Sequence, residues 1–244
     1  MQLKVIAYAR NGHTDKFGIP RQSREESPIV TRIVFEPEYN AREALRGMEG
    51  YSHLWIIWGF NGIPQSTWSP TVRPPRLGGN KRMGVFATRS PFRPNPIGLS
   101  SVRLLGIRNQ ESGTKTMELL VSGADLLDGT PIYDIKPYLS FSDCHPDARN
   151  GFAEETKDYR LKVEWVEDSI LGGIPFQPGN NQVVIPQHIR RDIAYILSQD
   201  PRPAYQDDPD REYKMDYSGY TVTFKVQNDT VLVVAIQNQN VSKY

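Results

Sequence analysis

Short runs dense in β-branched and aromatic residues return along the first 143 residues, separated by turn-forming segments rather than by long helical patterns. This spacing constrains the fold more than any other feature, because parallel βαβ units need a helix between strands whereas antiparallel strands need only a turn. Residues 3–10 and 29–36 have strand density, and the intervening residues 12–24 are rich in Gly, Pro and polar side chains, hence a loop. Residues 51–61, YSHLWIIWGFN, are aromatic, nearly unbroken in apolar character and short, which predicts a strand buried on both faces. Residues 84–89, 97–107, 116–122 and 131–135 complete the series, and Asn40 is placed to cap a short helix over residues 41–46. A mostly antiparallel closed sheet is expected.

Around residues 143–157 the chain becomes polar and acidic, as a linker would. Beyond it, residues 160–166 read as a strand, and residues 186–198 place Ile189, Ile193, Ile196 and Leu197 on one face of a helix. Residues 220–226 and 230–236 alternate around Asn228-Asp229 as a hairpin. The expectation is therefore two modules in 244 residues: a mainly β domain over 1–143, a linker over 144–159, and a small α+β domain over 160–244.

Charge is distributed unevenly. Between Glu49 and Glu111 stand Arg73, Arg76, Lys81, Arg82, Arg89, Arg93, Arg103 and Arg108 without one acid, so the remaining 21 Lys and Arg face all 28 acids and the rest of the chain carries −7. Such a block points to an anionic partner. Prolines at 91, 94 and 96 preset the backbone and stiffen the loop that carries Arg89 and Arg93. The single Cys144 excludes an internal disulfide and a cysteine-held cluster, and the four scattered histidines offer no ligand spacing, so no metal is expected. The longest apolar run, residues 54–60, is far below the roughly 20 residues of a membrane helix. The N-terminal run reads as a strand rather than a signal peptide, so a soluble cytoplasmic protein is expected. No G-x-G-x-x-G, Walker A or G-x-S-x-G pattern occurs, which removes the Rossmann route to an adenosyl cofactor.

Four stretches, DKFGIPRQ, GYSHLWIIWGFN, TVRPPRLGGNKRMGVFATRSPFRPNPIGLS and ADLLDGTPIYDIKPYLSFSD, closely resemble the TsaA-like (VirR-type) domain of the TrmO family, and the DPRPAY run at residues 200–205 is similar to the signature of that family's small second domain. The resemblance implies a single-sheeted, non-Rossmann β-barrel, usually a homodimer. It also implies an S-adenosylmethionine-dependent tRNA (adenine-N6)-methyltransferase acting on threonylcarbamoyladenosine beside the anticodon. Carried over by residue, the cofactor contacts are Pro20, Arg21, Gln22, Asn61, Gly62, Arg89, Leu99, Asp125, Leu126, Leu127 and Asp128. Many members have His where this chain has Asn61; a backbone contact survives that change, whereas a catalytic imidazole does not. A protein of the same fold that binds an adenosyl ligand or RNA without methyl transfer is the alternative.

On that reading, Arg21 or Arg89 suits the cofactor carboxylate through a bidentate fork, and Asp125 or Asp128 suits its ammonium or ribose hydroxyls. The backbone of Leu126-Leu127 is expected to read the adenine edge, with Leu99 on its face. A urea-like acceptor nitrogen needs a base or strong orientation, and Asp134, Asp143 and His53 are the base candidates. Arg73, Arg76, Lys81, Arg82, Arg93 and Arg202 are expected to meet RNA, with Trp68, Phe86 and Phe92 offering stacking faces. His53 also reads as a core histidine, and Trp55 and Trp58 as packing.

Overall fold

Alternating burial organises the first sheet, whose strands are β1 (Ala7–Arg10), β2 (Val30–Phe35), β3 (His53–Gly59), β6 (Ile97–Gln110), β7 (Thr116–Ser122) and β8 (Pro131–Pro137). The structure, a computed structural model, describes residues 2–61, 68–74, 81–110, 116–156, 159–166, 185–202 and 208–239. Gly62, Arg76 and residues 203–205 lie outside them. The strands follow the order β1-β2-β7-β6-β3-β8, every pairing is antiparallel, and β8 pairs back on β1 through Ala7↔Ile132. The ladder thus closes on itself, leaving none of these strands as an open edge. Leu54, Ile56 and Trp58 of β3 point into the core with Ile33, Leu119 and Ile132. Burying each aliphatic side chain stabilises the fold by about 1.5–3 kcal/mol relative to exposure. The expectation that β3 is buried on both faces is corrected: His53, Trp55 and Ile57 alternate outward and are only half-buried.

Two local expectations also change. Residues 84–89 do not continue as a strand; β4 (Thr71–Val72) and β5 (Met83–Gly84) form a short ribbon, and Val85–Ala87 turns into a 3-10 helix. The Thr88 hydroxyl donates to the Val85 carbonyl at 2.9 Å, and the Arg93 guanidinium donates to the Val85 and Thr88 carbonyls at 3.2 and 2.7 Å. Those carbonyls are therefore already engaged. Residues 41–46 shrink to one 3-10 turn, Arg42–Leu45, because Asn40 is drawn away to Met117, whose N–H it accepts at 2.9 Å.

The compact units are Met1–Asn11 with Arg21–Glu154, and Gly12–Pro20 with Glu155–Tyr244. Gly12–Pro20, expected with the N-terminal domain, groups with the second unit instead. The first unit continues past α1 (Ser140–Asp143) to Glu154, into the stretch expected as a linker. The second unit holds β9 (Lys162–Trp165), α2 (Gln187–Ser198), β10 (Tyr213–Tyr217), β11 (Tyr220–Gln227) and β12 (Thr230–Asn238). Its sheet order is β10-β11-β12-β9, with β9 parallel to β12. Helix α2 buries Ile189, Ile193, Ile196 and Leu197, the face read from the sequence. Within this unit Phe17 stacks on Phe224 at 6.2 Å and His13 meets Tyr217 edge-on at 5.2 Å. Burial lowers the His13 pKa to about 4. No helix among the described residues is long and apolar enough to cross a membrane, and no group of three His, Cys, Asp or Glu side chains there is placed to hold a metal ion.

Candidate functional site

Register decides what converges in the first unit. Trp58 of β3 lies directly opposite Gly98 of β6, and a Cβ at Gly98 would collide with the indole. With no side chain in the way, the ring lies across Gly98 and reaches Ser100, two residues on and on the same face. Trp58 Nε1 donates to Ser100 Oγ at 2.9 Å, and Ser100 Oγ donates to Asp125 Oδ1 at 2.5 Å. Asp125 stands in the turn after β7, beyond Gly123. That glycine has φ +84°, and a Cβ there would meet the Arg24 carbonyl oxygen at 2.7 Å. The close approach lets Arg24 N–H donate to the Gly123 carbonyl at 3.1 Å. Next along, Gln22 Oε1 accepts from Arg89 Nη1 at 2.5 Å. Burial raises the Asp125 pKa, opposed in turn by Ser100, backbone N–H groups and the Arg89 guanidinium.

The turn continues to Thr130 and is bound to β1. Asn11 donates its backbone N–H to Asp128 Oδ1 at 3.0 Å and its Nδ2 to the Leu126 carbonyl at 2.9 Å; Arg10 Nη1 pairs with Asp128 Oδ2 at 3.4 Å. Thr130 Oγ1 donates to Asn61 Oδ1 at 3.2 Å, tying the end of the aromatic segment to the same turn. Gln22, Asn61, Arg89, Asp125 and Asp128 are thereby joined to one hydrogen-bonded turn. Leu99 follows on β6 with 54% of its surface exposed. Leu126 is fully buried and its carbonyl accepts from Asn11, while the Leu127 carbonyl accepts Thr130 N–H at 3.1 Å, so each carbonyl keeps one lone pair for a ligand. Pro20 is buried within the second unit, while Arg21 is exposed in the first.

The base candidates separate. Directly opposed residues of antiparallel neighbours share a face, and β8 Asp134, β3 Ile57 and β6 Leu99 form one such row on the outer face. Asp134 accepts Ile135 N–H at 2.9 Å and pairs with Lys136 at 2.8 Å, with 44% of its side chain exposed. Asp143 is held in α1, accepting Leu139 N–H at 3.0 Å and Trp55 Nε1–H at 2.8 Å, which lower its pKa in that order. A carboxylate stabilised in this way as an anion is a weak proton acceptor. His53 Nδ1 is 2.9 Å from Ser52 Oγ, its Nε2 is 3.7 Å from Glu25, and its ring meets Tyr138 edge-on. Both therefore belong to an aromatic corner around Tyr138.

The basic residues also divide. Arg73, Lys81 and Arg82 are exposed, and so are the rings of Trp68, Phe86 and Phe92. Arg93 donates to the Val85 and Thr88 carbonyls and sits 5.6 Å over the Phe86 ring, so it holds the local loop together. Arg202 corrects an expectation: it is only 8% exposed and forks onto Asp200, Nε to Oδ1 at 2.8 Å and Nη2 to Oδ2 at 3.1 Å. Asn11, Ser100 and Trp58 are the participants sequence reasoning missed; their partners lie 115, 25 and 42 residues away. The one local hint was the small residue two positions before Ser100.

Comparison with known proteins covers both units of the chain. Residues 8–144 match the model of the tRNA-methyltransferase O N-terminal domain, and residues 178–239 match the TrmO C-terminal domain. A tRNA (adenine(37)-N6)-methyltransferase of Eikenella corrodens is 46% identical over 186 residues, 76% of this chain and 97% of that protein. The protein of the same name from Escherichia coli K12 is 36% identical over 97% of each chain. A crystal structure of TrmO from Pseudomonas aeruginosa superposes with a TM-score of 0.71 at 32% identity, covering 98% of this chain and 97% of the other.

Proposed function

We propose that this chain, which belongs to the tRNA-methyltransferase O (TrmO) family, transfers a methyl group from S-adenosylmethionine to N6 of threonylcarbamoyladenosine next to the anticodon of tRNA. The observation that carries the reading is the convergence of Gln22, Asn61, Arg89, Asp125 and Asp128 at one turn of the closed sheet. When bound, S-adenosylmethionine supplies an electrophilic methyl group on a sulfonium.

The residues present fit such a group. Arg89 is exposed and oriented by Gln22, which suits it to a carboxylate. Asp128 is partly exposed and anchored by Asn11, which suits it to an ammonium or ribose hydroxyls. Leu99 presents an apolar face for a base. Asp134 is the best-supported acceptor of the N6 proton, since it shares the outer row with Leu99 and is two strand spacings, about 10 Å, away. The exposed rings of Trp68, Phe86 and Phe92 and the exposed Arg73, Lys81 and Arg82 suit unstacked bases and phosphates of an RNA loop. A cytoplasmic homodimer is the assembly this reading favours.

The test is transfer of labelled methyl from S-adenosylmethionine into tRNA prepared with and without the threonylcarbamoyl group. Label is expected only in the threonylcarbamoylated tRNA, with Arg89→Ala losing cofactor affinity at least tenfold. Equal labelling of both tRNAs would overturn the acceptor assignment. Cofactor binding without transfer to any tRNA would favour a binding protein of the same fold.

A further inference from the structure

We propose that Ser100 is a positioning residue for cofactor capture, fixing the Asp125 carboxylate in the turn that the Gln22-bearing loop bonds through Arg24 and Gly123, where its charge supports Arg89. The inference rests on the reading that Arg89 engages the cofactor.

Ser100 is only 1% exposed, so it touches no ligand itself. Its hydroxyl is used twice, accepting from Trp58 and donating to Asp125. A hydroxyl has one proton, so this pair of bonds fixes its rotor. The indole behind it is fixed in turn by the core and by its seat on Gly98. A rigid core ring therefore sets a hydroxyl, the hydroxyl sets a carboxylate, and the carboxylate stands in the turn to which Arg24 N–H ties the loop of the Gln22–Arg89 contact. Replacing Ser100 by Ala leaves the Trp58 N–H unpaired in the interior and Asp125 short of one donor, freeing the carboxylate to turn from Arg89.

The experiment measures S-adenosylmethionine affinity by calorimetry and steady-state transfer to threonylcarbamoylated tRNA with the full chain. For Ser100→Ala, cofactor affinity is expected to fall about tenfold, the size of one hydrogen bond to a charged group. KM for the cofactor should rise in step, while kcat at saturation and KM for tRNA stay within about twofold, a split that general loosening of the fold would not give. In an Asp125→Asn background, Ser100→Ala should weaken binding no further. A folded Ser100→Ala protein with wild-type affinity overturns the proposal, as does an equal loss in both backgrounds. If Ser100→Ala does not fold, Trp58→Phe removes only the first donor and should weaken binding about threefold in the same direction; unchanged affinity there overturns it as well. Arg89→Ala is measured alongside. Unchanged affinity in that variant defeats the Arg89 reading and takes the Ser100 role with it, whereas a loss there with none in Ser100→Ala defeats the Ser100 role alone.

Discussion

Strand β3 carries two indoles three residues apart, one pointing into the closed sheet and one out of it, and each is tied to an aspartate. Inside, Trp58 reaches Asp125 through Ser100, and burial raises the carboxyl's pKa. Outside, Trp55 reaches Asp143 directly, and with the Leu139 N–H it lowers that carboxyl's pKa. The same pair of residue types thus yields opposite proton affinities, because desolvation dominates on one side and donated hydrogen bonds on the other. An aspartate near a tryptophan says little about acid–base role until the strand parity is known.

The comparison breaks first at the level of stability. Trp58→Ala removes a large side chain from the core and should cost about 3–5 kcal/mol in urea unfolding. Trp55→Ala should cost about 1 kcal/mol, the net value of one exposed hydrogen bond with modest packing. Similar losses for the two variants would mean that the inside–outside distinction is wrong. Cofactor affinity gives the next largest contrast. Asp125→Asn should weaken S-adenosylmethionine binding about tenfold by removing the charge facing Arg89, whereas Asp143→Asn should change it less than about twofold. An Asp143 variant with the larger loss would move the site to the aromatic corner.

The smallest effect is the pH dependence of stability, and here the signs oppose. Asp143, with its folded pKa below the ordinary carboxyl value, contributes stability above that value and loses it as pH falls. Asp125, with its folded pKa raised, binds its proton more readily folded than unfolded, so its contribution is present at low pH and is lost as pH rises through the folded pKa. Denaturant titrations between about pH 3 and 7 should therefore show Asp143→Asn losing ground to the parent as pH rises, and Asp125→Asn gaining. Parallel curves would remove the electrostatic contrast.

Much of this was readable from local pattern. The hairpin around Asn228-Asp229 is a period-2 signal that the burial of its strands repeats, whereas residues 116–122 form the expected strand without alternating burial, Glu118 and Ser122 being buried beside Leu119 and Val121. The basic block and its exposed rings at Trp68 and Phe86 were visible as composition. What escaped depends on contacts distant in sequence. Arg93 and Arg202 read as free cations, yet one is held by carbonyls five and eight residues back and the other by Asp200. Asp143 read as a base but accepts the Leu139 N–H four residues back and anchors an indole 88 residues earlier. Ser100 carried no signal because its role exists only once β3 and β6 are in register.

The grouping of Gly12–Pro20 with the second unit bears on inheritance as much as on packing. That unit is discontinuous along the chain: Phe17 stacks on Phe224 and His13 leans on Tyr217, more than 200 residues later. No single cut can release it whole, and a gene fragment encoding only the C-terminal stretch would lack part of its interior. The two halves are consequently bound to travel together, and neither recombination nor proteolysis at one point can exchange the second for another module intact.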